Sequence, residues 1–450
     1  MISLRRNLAG SLGLEPAETA PVLLSALLFY LLMTGYYILR PLREEMGLAG
    51  GVDNLPKLFL VTLAAMVLAA PLLGWLVRRH RRETFIPVAF RFFAVNLLLF
   101  FILLKTASGG LLVLAGRAFY VWLSVFNLFV LSLFWSFMAD GFGYRRSRRL
   151  FGIIALGGTL GAMLGSGLTT LLVGAVGRHN LFLVAAACLE GAVRCVGPLG
   201  RRFTQDATSP DLAFDSPSRG GILSGVTRTA GSPYLLGISA YIFFYSLTAT
   251  FLYFEQAQIV AANVLGRTER AAMFGTIDFW ANTLTLAGQL LLTGRMLRKL
   301  GSGPVLALLP LAVAAGFAAV GTWPTLTVLV IFQVIRRAGN YALAKPARET
   351  LFTVVDRSDR YKAKNFIDTF VYRGGDALGA GIFARITAGG AGLVTVAWLA
   401  VPIALLWAAV AFYLGRRQRE LAAGREGSDD GIPADGHGHA AAPPAAPGQL

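Results

Sequence analysis

The sequence predicts an all-helical polytopic membrane protein with twelve transmembrane helices in two six-helix halves, and three observations support this prediction. Of its 450 residues, 55% are hydrophobic and only 14% are charged, whereas about a quarter of an ordinary soluble domain is charged. The roughly 248 apolar residues match the roughly 240 that twelve spans of about 20 residues require. The 51 glycines agree, because small residues allow membrane helices to approach closely. A water-soluble globular protein is excluded.

Twelve apolar segments have the length of a membrane span. They lie at 21–39, 58–77, 85–104, 112–139, 150–173 and 180–198, and then at 235–258, 272–294, 303–321, 325–345, 366–388 and 393–414. A polar stretch rich in Ser, Pro, Gly and Asp separates the two sets, and the C-terminus is too poor in apolar residues to pack. We therefore predict a first half at 1–198, a cytoplasmic linker at 199–233, a second half at 234–414 and a disordered tail at 415–450.

The distribution of basic residues predicts the orientation of the chain. The formal net charge is +17, and the basic residues cluster in every second loop, as in VRRHRR after the second span and GYRRSRR after the fourth. These clusters lie on the same side as Arg5 and Arg6, and cytoplasmic loops are the loops enriched in Lys and Arg. We therefore expect an inner (plasma) membrane protein with both termini in the cytoplasm. Because topology accounts for the charge, we expect the lipid bilayer, and no nucleic acid, as a partner.

The two halves share a weak internal repeat. The fifth span of the first half begins RRSRRLFGIIALGGTLGAMLG at Arg145, and the fifth span of the second half begins RYKAKNFIDTFVYRGGDALGAG at Arg360. Each segment has a basic cluster followed by a pair of glycines. Two parallel six-helix halves joined by a linker are the architecture of the major facilitator superfamily, in which the binding site lies between the halves near mid-membrane.

Charged residues inside predicted spans are candidates for this site, because a charge at the bilayer centre costs at least about 2.5–3.5 kcal/mol unless it is paired. Arg40 and Arg43 lie one helical turn apart at the end of the first span. Their guanidinium groups could bind phosphate or carboxylate oxygens in a bidentate manner. The alternative is an interfacial cluster neutralised by Glu44 and Glu45.

Further candidates lie in the second half. Glu255 in span 7 and Asp278 in span 8 could each pair with a basic residue across the site, or carry a proton. Arg336 and Arg337 are adjacent near the middle of span 10, and at least one of them should face the interior. Lys362 and Lys364 precede span 11, which contains Arg373. Tyr341 and Tyr372 supply aromatic rings, and cations beside rings suit a ligand with a polyanionic part and a planar part, such as a nucleotide.

Missing motifs exclude other classes of protein. The sequence has no GxxxxGKS phosphate-binding loop, so we expect neither ATP hydrolysis nor any other enzymatic activity. Its four histidines lie in predicted loops and in the tail, and we expect no metal ion and no cofactor.

Several segments resemble one known family. YYILRPLREEMG, FNLFVLSLFWSFMAD, RRLFGIIALGGTLGAMLG, NYALAKPARETLF and DRYKAKNFIDTFVYRGGDALGAG are similar to segments of the nucleotide transporter family, the ADP/ATP translocases of plastids and intracellular bacteria, and especially to its bacterial relatives. The resemblance implies exchange of nucleotides without hydrolysis. It also implies that the family's essential basic residue after span 1 falls on Arg43, its acidic residue in span 7 on Glu255, and its lysine before span 11 on Lys364 or Lys362. The acid that the family has early in span 4 has no counterpart near Leu123.

We therefore predict a secondary transporter that exchanges nucleotides, or a related phosphorylated anion, by alternating access. The phosphates would be held by Arg40, Arg43, Arg336, Arg337 and Lys364. Glu255 would be the acidic gating partner of these basic residues, released when substrate binds. Two alternatives stay open at this point. One is a proton-coupled carrier of organic anions or peptides, and the other is a membrane scaffold or sensor that transports nothing.

Overall fold

The computed structural model describes residues 15–79, 82–205, 222–356, 363–364 and 366–429, and nearly all of them are helical. The helices of the first half are α1 (Pro16–Ala49), α2 (Leu55–Arg79), α3 (Arg82–Thr106), α4 (Gly109–Val176) and α5 (Asn180–Gln205). A short α6 (Ile222–Ala230) precedes the second half, which contains α7 (Pro233–Asn263), α8 (Arg267–Gly288), α9 (Gly294–Leu300), α10 (Ser302–Thr322), α11 (Leu326–Gly339), α12 (Lys345–Leu351), α13 (Tyr372–Ala388) and α14 (Leu393–Asp429). We refer to residues 15–205 as the first half and 222–429 as the second half.

Within these described residues, nine helical segments are long and apolar enough to cross a membrane. The predicted spans at 272–294, 325–345 and 366–388 are helical as well, but they do not meet this criterion. Each contains ionisable side chains, and each contains or adjoins a π-helical turn that divides its α-helix. The three less apolar spans are therefore the ones that contain most of the predicted site residues.

The fourth and fifth predicted spans belong to one helical element, α4, and the predicted loop between them is wrong. The rings of Trp135 and Phe151 are nevertheless 5.1 Å apart, although 16 residues of straight helix would separate them by about 24 Å. Phe134 stacks on Phe29 of α1 at 4.3 Å, and Gly158 contacts the same Phe29 ring. The chain thus reverses direction between 135 and 151, as two antiparallel spans require, while its helical hydrogen bonding continues through the turn.

Glycines bring α4 into close contact with α1. A Cβ atom on Gly161 would collide with the backbone carbonyl of Tyr30, and Gly157 and Gly165 have the same relation to α1 one turn away on either side. This four-residue spacing places all three glycines on one helix face. Such a face lets two membrane helices pack backbone against backbone. The GGTLGAMLG sequence therefore fixes the position of α1, which carries the predicted arginines.

Apolar side chains form two cores, one built mainly from α1 to α5 and one mainly from α7 to α14. The second core also contains Leu48, Leu55, Leu58 and Tyr120 of the first half, and the first core contains Ala271 of α8. Glu18 at the start of α1 lies 3.9 Å from Arg146 at the turn of α4, and Gln418 near the end of α14 bonds to Thr350 at 2.7 Å. We call this side of the molecule, where α1 begins and α14 ends, the terminal side. The opposite side is called the loop side.

Two predicted boundaries differ from the structure. α14 extends to Asp429, so the predicted tail is helical from 415 to 429, where Arg417 pairs with Glu420 at 2.7 Å. Helix-forming residues and this i,i+3 pair continue the helix beyond its apolar part. Helices α5 and α6 also occupy both ends of the predicted linker. The remainder of the linker and of the tail, at 206–221 and 430–450, lies outside the described residues, as do Arg5 and Arg6.

π-helical turns interrupt the helices that carry the charges. Gln289–Thr293 and Asn340–Ala344 are two such turns, and they lie next to each other. Pro346 has no backbone N–H, so the carbonyl of Ala342 lacks its usual helical donor. The hydroxyl of Thr293 donates to that carbonyl at 2.6 Å. The proline in NYALAKPAR therefore helps to explain both the irregular turn and the polar contact that joins the two helices.

Candidate functional site

A cavity of about 310 Å³ lies between the two halves. Its volume is at the lower end of the range for small-molecule sites, roughly 300–1,000 Å³. Residues of the first half that line it are Tyr36, Arg40, Arg43, Glu44, Phe59, Thr62, Leu63, Met66, Tyr120, Leu123, Ser124 and Asn127; those of the second half are Ala249, Thr250, Tyr253, Tyr372, Arg373 and Asp376. Both halves therefore supply arginines and tyrosines to one site.

Arg43 is held on an aromatic surface of this cavity. Its guanidinium lies 3.8 Å from the ring centroid of Tyr120, its Nε donates to the Tyr120 carbonyl at 3.2 Å, and its Nη1 donates to Glu44 at 2.7 Å. The hydroxyl groups of Tyr120 and Tyr253 are 2.6 Å apart and link α4 to α7 across the two halves. Stacking on Tyr120 and the ion pair with Glu44 therefore fix the plane of the Arg43 guanidinium.

Arg40 belongs to an ion cluster that joins the halves. Its Nη1 donates to the carboxylate of Asp278 on α8 at 2.7 Å, and Arg337 on α11 donates to the same oxygen. The side chain of Asp278 is 5% exposed, whereas those of Arg40 and Arg337 are 24% and 12% exposed. One buried carboxylate therefore bridges two arginines, one from each half, which leaves the cluster with a net charge of about +1; of the three residues, Arg40 is the one that lines the cavity.

A second polar cluster lies entirely in the second half, around Asp376. Ser246 and Thr250 of α7 both donate to Asp376 Oδ1, Thr250 at 3.4 Å, and Arg373 donates to Oδ2 at 3.2 Å. Glycines make this contact possible, because a Cβ on Gly375 would lie 2.9 Å from the Cβ of Ser246. The RGGDALG sequence therefore positions both the carboxylate and the helix that supplies its donors.

The loop side is closed by ion pairs around Glu45. This carboxylate is fully buried at the end of α1 and accepts from Arg267 at the start of α8; Arg178 of the first half lies 3.7 Å away. Arg178 also donates to His179 at 3.3 Å. Burial and the neighbouring Arg178 charge hold the pKa of His179 below its usual range. A neutral His179 can therefore accept this hydrogen bond near pH 7.

Two predicted site residues lie elsewhere. Glu255 is fully buried, does not line the cavity, and its carboxylate oxygens have no hydrogen-bond partner among the described residues. The predicted pair between Glu255 and a basic residue is thus not formed in this part of the chain. Lys364 lies 2.5 Å from Glu349, outside the cavity lining. Lys362 lies outside the described residues.

Of the four remaining predicted residues, two line the cavity and two do not. Arg336 donates to Gln333 at 3.2 Å and does not line the cavity, and Tyr341 is 43% exposed beside Lys345. Arg373 and Tyr372 do line it. Sequence reasoning missed Glu44 and Asp376 as parts of the site. The acidic residues next to each predicted arginine were the available signal, since an arginine in a membrane span needs a counter-charge.

The arrangement suits an anionic ligand. Three arginines and two carboxylates line the cavity, and four tyrosines interrupt them. Guanidinium groups bind phosphate and carboxylate oxygens in a bidentate manner, and tyrosine rings contact planar or apolar groups while their hydroxyls can donate hydrogen bonds to anionic oxygens. Among the described residues, no group of three or more His, Cys, Asp or Glu could hold a metal ion.

Comparisons with known proteins identify the fold. No protein-family model matches the chain, and no curated protein matches its sequence. Solved structures of transporters do match. One is a bacterial homologue of the human lysosomal transporter Spinster in an inward-facing, unoccupied conformation. It is 15% identical in sequence, the match covers 90% of this chain and 98% of that one, and the TM-score is 0.56. A mutant of the nucleoside transporter NupG matches at 14% identity, covering 88% and 99%, with a TM-score of 0.59. A D-xylose–proton symporter matches at 12% identity, covering 87% and 96%, with a TM-score of 0.60. The chain therefore has the helical membrane fold of the major facilitator type.

Proposed function

We propose that this protein is a secondary transporter that exchanges organic anions by alternating access, and that nucleotides such as ATP and ADP are the first substrates to test. The observation that carries the proposal is the cavity between the halves, lined by Arg40 and Arg43 from one half and by Arg373 from the other. Charges at this depth are costly unless they bind something or pair. The resemblance to nucleotide transporters supports the same substrate class.

Arg40 provides a way for an anion to change the contact between the halves. An anion in the cavity competes with Asp278 for Arg40, and Asp278 then keeps Arg337 as its partner. Because the buried carboxylate is never left alone, Arg40 can exchange partners at low energetic cost. Substrate binding thereby weakens an interaction between the halves, so a bound anion favours the change from one conformation to the other.

The ion pairs around Glu45 would open in the other half of the cycle. In this structure they close the loop side above the cavity, together with the contact between Gly275 of α8 and Thr170 of α4. If the basic terminal side is cytoplasmic, as the positive-inside rule predicts, these contacts separate the site from the outside. We accordingly assign the protein to the plasma membrane with both termini inside, and we assign it no enzymatic activity or cofactor.

The cavity dimensions favour a substrate of modest size. About 310 Å³ is at the lower end of the range for small-molecule sites, which favours a small phosphorylated anion over one as large as ATP. The aromatic lining by Tyr36, Tyr120, Tyr253 and Tyr372 favours a planar group over a purely polar one. A related phosphorylated anion is therefore the second substrate class to test.

Uptake into proteoliposomes tests the proposal. Labelled ATP is offered to vesicles that are preloaded with ADP or left empty, and wild type is compared with Arg43→Gln and Arg373→Gln. A charge-assisted hydrogen bond contributes about 1.5–3 kcal/mol, so each variant should lose roughly 10- to 150-fold in apparent affinity. The matched control is Arg91→Gln, since Arg91 pairs with Glu190 outside the cavity.

Two further variants test the residues that the family resemblance makes essential against the residues that line the cavity. Lys364→Ala and Glu255→Gln alter residues that the family resemblance makes essential but that lie outside the cavity lining. Loss of uptake in these variants but not in Arg43→Gln would move the site away from the cavity. If no nucleotide enters under either loading, a panel of organic anions and peptides with and without a proton gradient is measured next. Absence of all uptake would favour the scaffold or sensor alternative.

A further inference from the structure

We propose that Asp376 is the site of a coupling proton, taken up when a substrate anion draws Arg373 away from it. The inference rests on the proposed transport of anions, and it adds the coupling ion and its position. Asp376 and Arg373 both line the cavity, three residues apart on α13. The side chain of Asp376 is 8% exposed, whereas that of Arg373 is 37% exposed. The carboxylate is thus fixed and buried, and its counter-ion is free to reach a ligand.

The hydrogen bonds of Asp376 divide between its two oxygens. Oδ1 accepts from the hydroxyls of Ser246 and Thr250, and Oδ2 accepts from Arg373 at 3.2 Å. If Arg373 turns toward an anion, Oδ2 loses the donor that it has among the described residues. A proton on Oδ2 then replaces the guanidinium charge, while Oδ1 keeps both hydroxyl donors. The step forms one O–H bond at Oδ2 and breaks one O–H bond of a hydronium ion from the aqueous phase that the cavity faces, which becomes water.

Among the residues that the structure describes, those around Asp376 offer no second cation to take over from Arg373. From α7, the side chains that face it are the neutral Ser246, Thr250 and Tyr253; from α2, the cavity-lining residues are Phe59, Thr62, Leu63 and Met66. Across the cavity lie Arg43, which is paired with Glu44, and Arg40, which is paired with Asp278. A buried carboxylate without a counter-ion is strongly disfavoured in its ionised form. Protonation is therefore the available response.

The other buried acids lack this combination. Asp278 has two arginines, so it retains one when Arg40 leaves. Glu255 does not reach the cavity, and no arginine or lysine pairs with it among the described residues. Glu45 lies on the loop side, paired to Arg267. Glu44 and its partner Arg43 also line the cavity, but Arg43 is 15% exposed and is held on the Tyr120 ring, whereas Arg373 is 37% exposed. Among the described residues, Asp376 is therefore the buried acid whose cavity-lining partner is free to turn toward a ligand.

Coupling between the anion and the proton follows from this geometry. Because the anion and Asp376 compete for one guanidinium, a bound anion favours protonation, and protonation of Asp376 favours anion binding by the same factor. The carrier would then take the anion and the proton across together and return with neither, with Arg373 paired again to Asp376, so that each anion taken up is accompanied by one proton. A proton gradient could therefore drive accumulation of the anion. With the membrane potential held at zero, each coupled proton supports up to about a tenfold concentration ratio per pH unit.

Infrared spectroscopy of the full-length protein tests the proton site without any substrate. Arg373→Gln imitates the state in which an anion has removed the arginine. We expect this variant to show a protonated carboxyl band at pH 7 that is stronger than in wild type, and we expect this increase to be absent from the double variant Arg373→Gln/Asp376→Asn. Arg373→Leu serves as a second version if the first does not fold. Equal bands in wild type and both Arg373 variants would overturn the proposal.

Transport of ADP provides the second arm. In wild-type proteoliposomes, an acidic exterior should accumulate ADP above the level without a gradient, and Asp376→Asn should abolish that stimulation. Stimulation by a sodium gradient in place of the proton gradient, or stimulation that persists in Asp376→Asn, would contradict the inference. If wild type takes up no ADP at all, the nucleotide proposal fails, and the infrared result still decides whether Asp376 takes up the proton.

Discussion

Replacing Glu45 by Gln should shift the protein toward a state that is open on the loop side. Glu45 is fully buried and holds Arg267 of the second half, with Arg178 of the first half beside it. A glutamine keeps the shape of the side chain but removes its charge. Two arginines of like charge then face each other at the contact between the halves, which destabilises the closed state specifically.

The magnitude follows from the exposure of the three groups. Breaking a buried ion pair costs about 3–5 kcal/mol, and an exposed pair contributes about 0–1 kcal/mol. The side chain of Glu45 is 0% exposed, and those of Arg267 and Arg178 are 30% and 18% exposed, so we expect about 2–3 kcal/mol between these limits. Such a change multiplies the ratio of open to closed molecules by roughly 30 to 150. An open state populated at about 1% would rise to roughly a quarter to three fifths.

Distance measurements between spin labels follow this population directly. Ser108 and Leu265 are exposed on the loop side, one in each half, and both can carry labels after the native Cys188 and Cys195 are replaced. In Glu45→Gln, a longer distance should appear as a second population. The matched control is Glu190→Gln, whose ion pairs with Arg91 and Arg194 stay within the first half.

A single, unchanged distance in Glu45→Gln would refute the assignment of these ion pairs to loop-side closure. The same conclusion would follow if the control produced an equal shift. Unfolding of both variants is measured in parallel, because a general loss of stability would broaden the distances on both sides of the membrane.

Three further outcomes follow from the fold. Asp278→Asn should lower the free energy of unfolding by about 3–5 kcal/mol, because it leaves two arginines without their counter-charge. Arg337→Gln should lower it less, because the carboxylate keeps Arg40 as a partner. Denaturant titration in detergent compares the two variants. Gly161→Val should cost about 1–3 kcal/mol by forcing α4 away from α1, and Gly152→Val, where a Cβ meets nothing within 4 Å, should cost far less. The pKa of His179 is lowered in the folded state, so its stabilising contribution should be lost as pH falls below about 6.5, and His179→Gln should remove that pH dependence.

Each of these outcomes has a counterpart that would contradict it. Equal losses in Asp278→Asn and Arg337→Gln would mean that the carboxylate is not shared. Equal effects of the two glycine substitutions would deny the close contact between α1 and α4. An acid-induced loss of stability that persists in His179→Gln would belong to another group.

The spans could be predicted from the sequence because membrane helices need about 20 apolar residues, and each predicted segment is helical. What failed were their ends and junctions. α1 continues through Pro41 to Ala49, so Arg40 and Arg43 lie within a helix instead of at an interfacial end. The turn of α4 and the extension of α14 also escaped prediction, since hydropathy reports depth in the membrane and not the continuity of helical hydrogen bonds.

The candidate site was predicted in part. Arg40, Arg43, Arg373 and Tyr372 line the cavity, because an arginine within a span is conspicuous in any apolar sequence. Asp376 was overlooked as a site residue, since its relation to Ser246 depends on how closely two helices pack. The distant pairing of Arg40 with Asp278 could not be read from spacing along the chain.

The division of charge between the halves has a consequence for biogenesis. The three spans that fall short of an autonomous apolar segment all belong to the second half, and they contain Asp278, Arg336, Arg337, Arg373 and Asp376. Helices with central charges enter the bilayer poorly by themselves. We expect them to be retained at the insertion machinery until partners for their charges are present, including Arg40 of an already inserted α1. Synthesis of the second half without the first should therefore yield a chain whose charged helices fail to integrate.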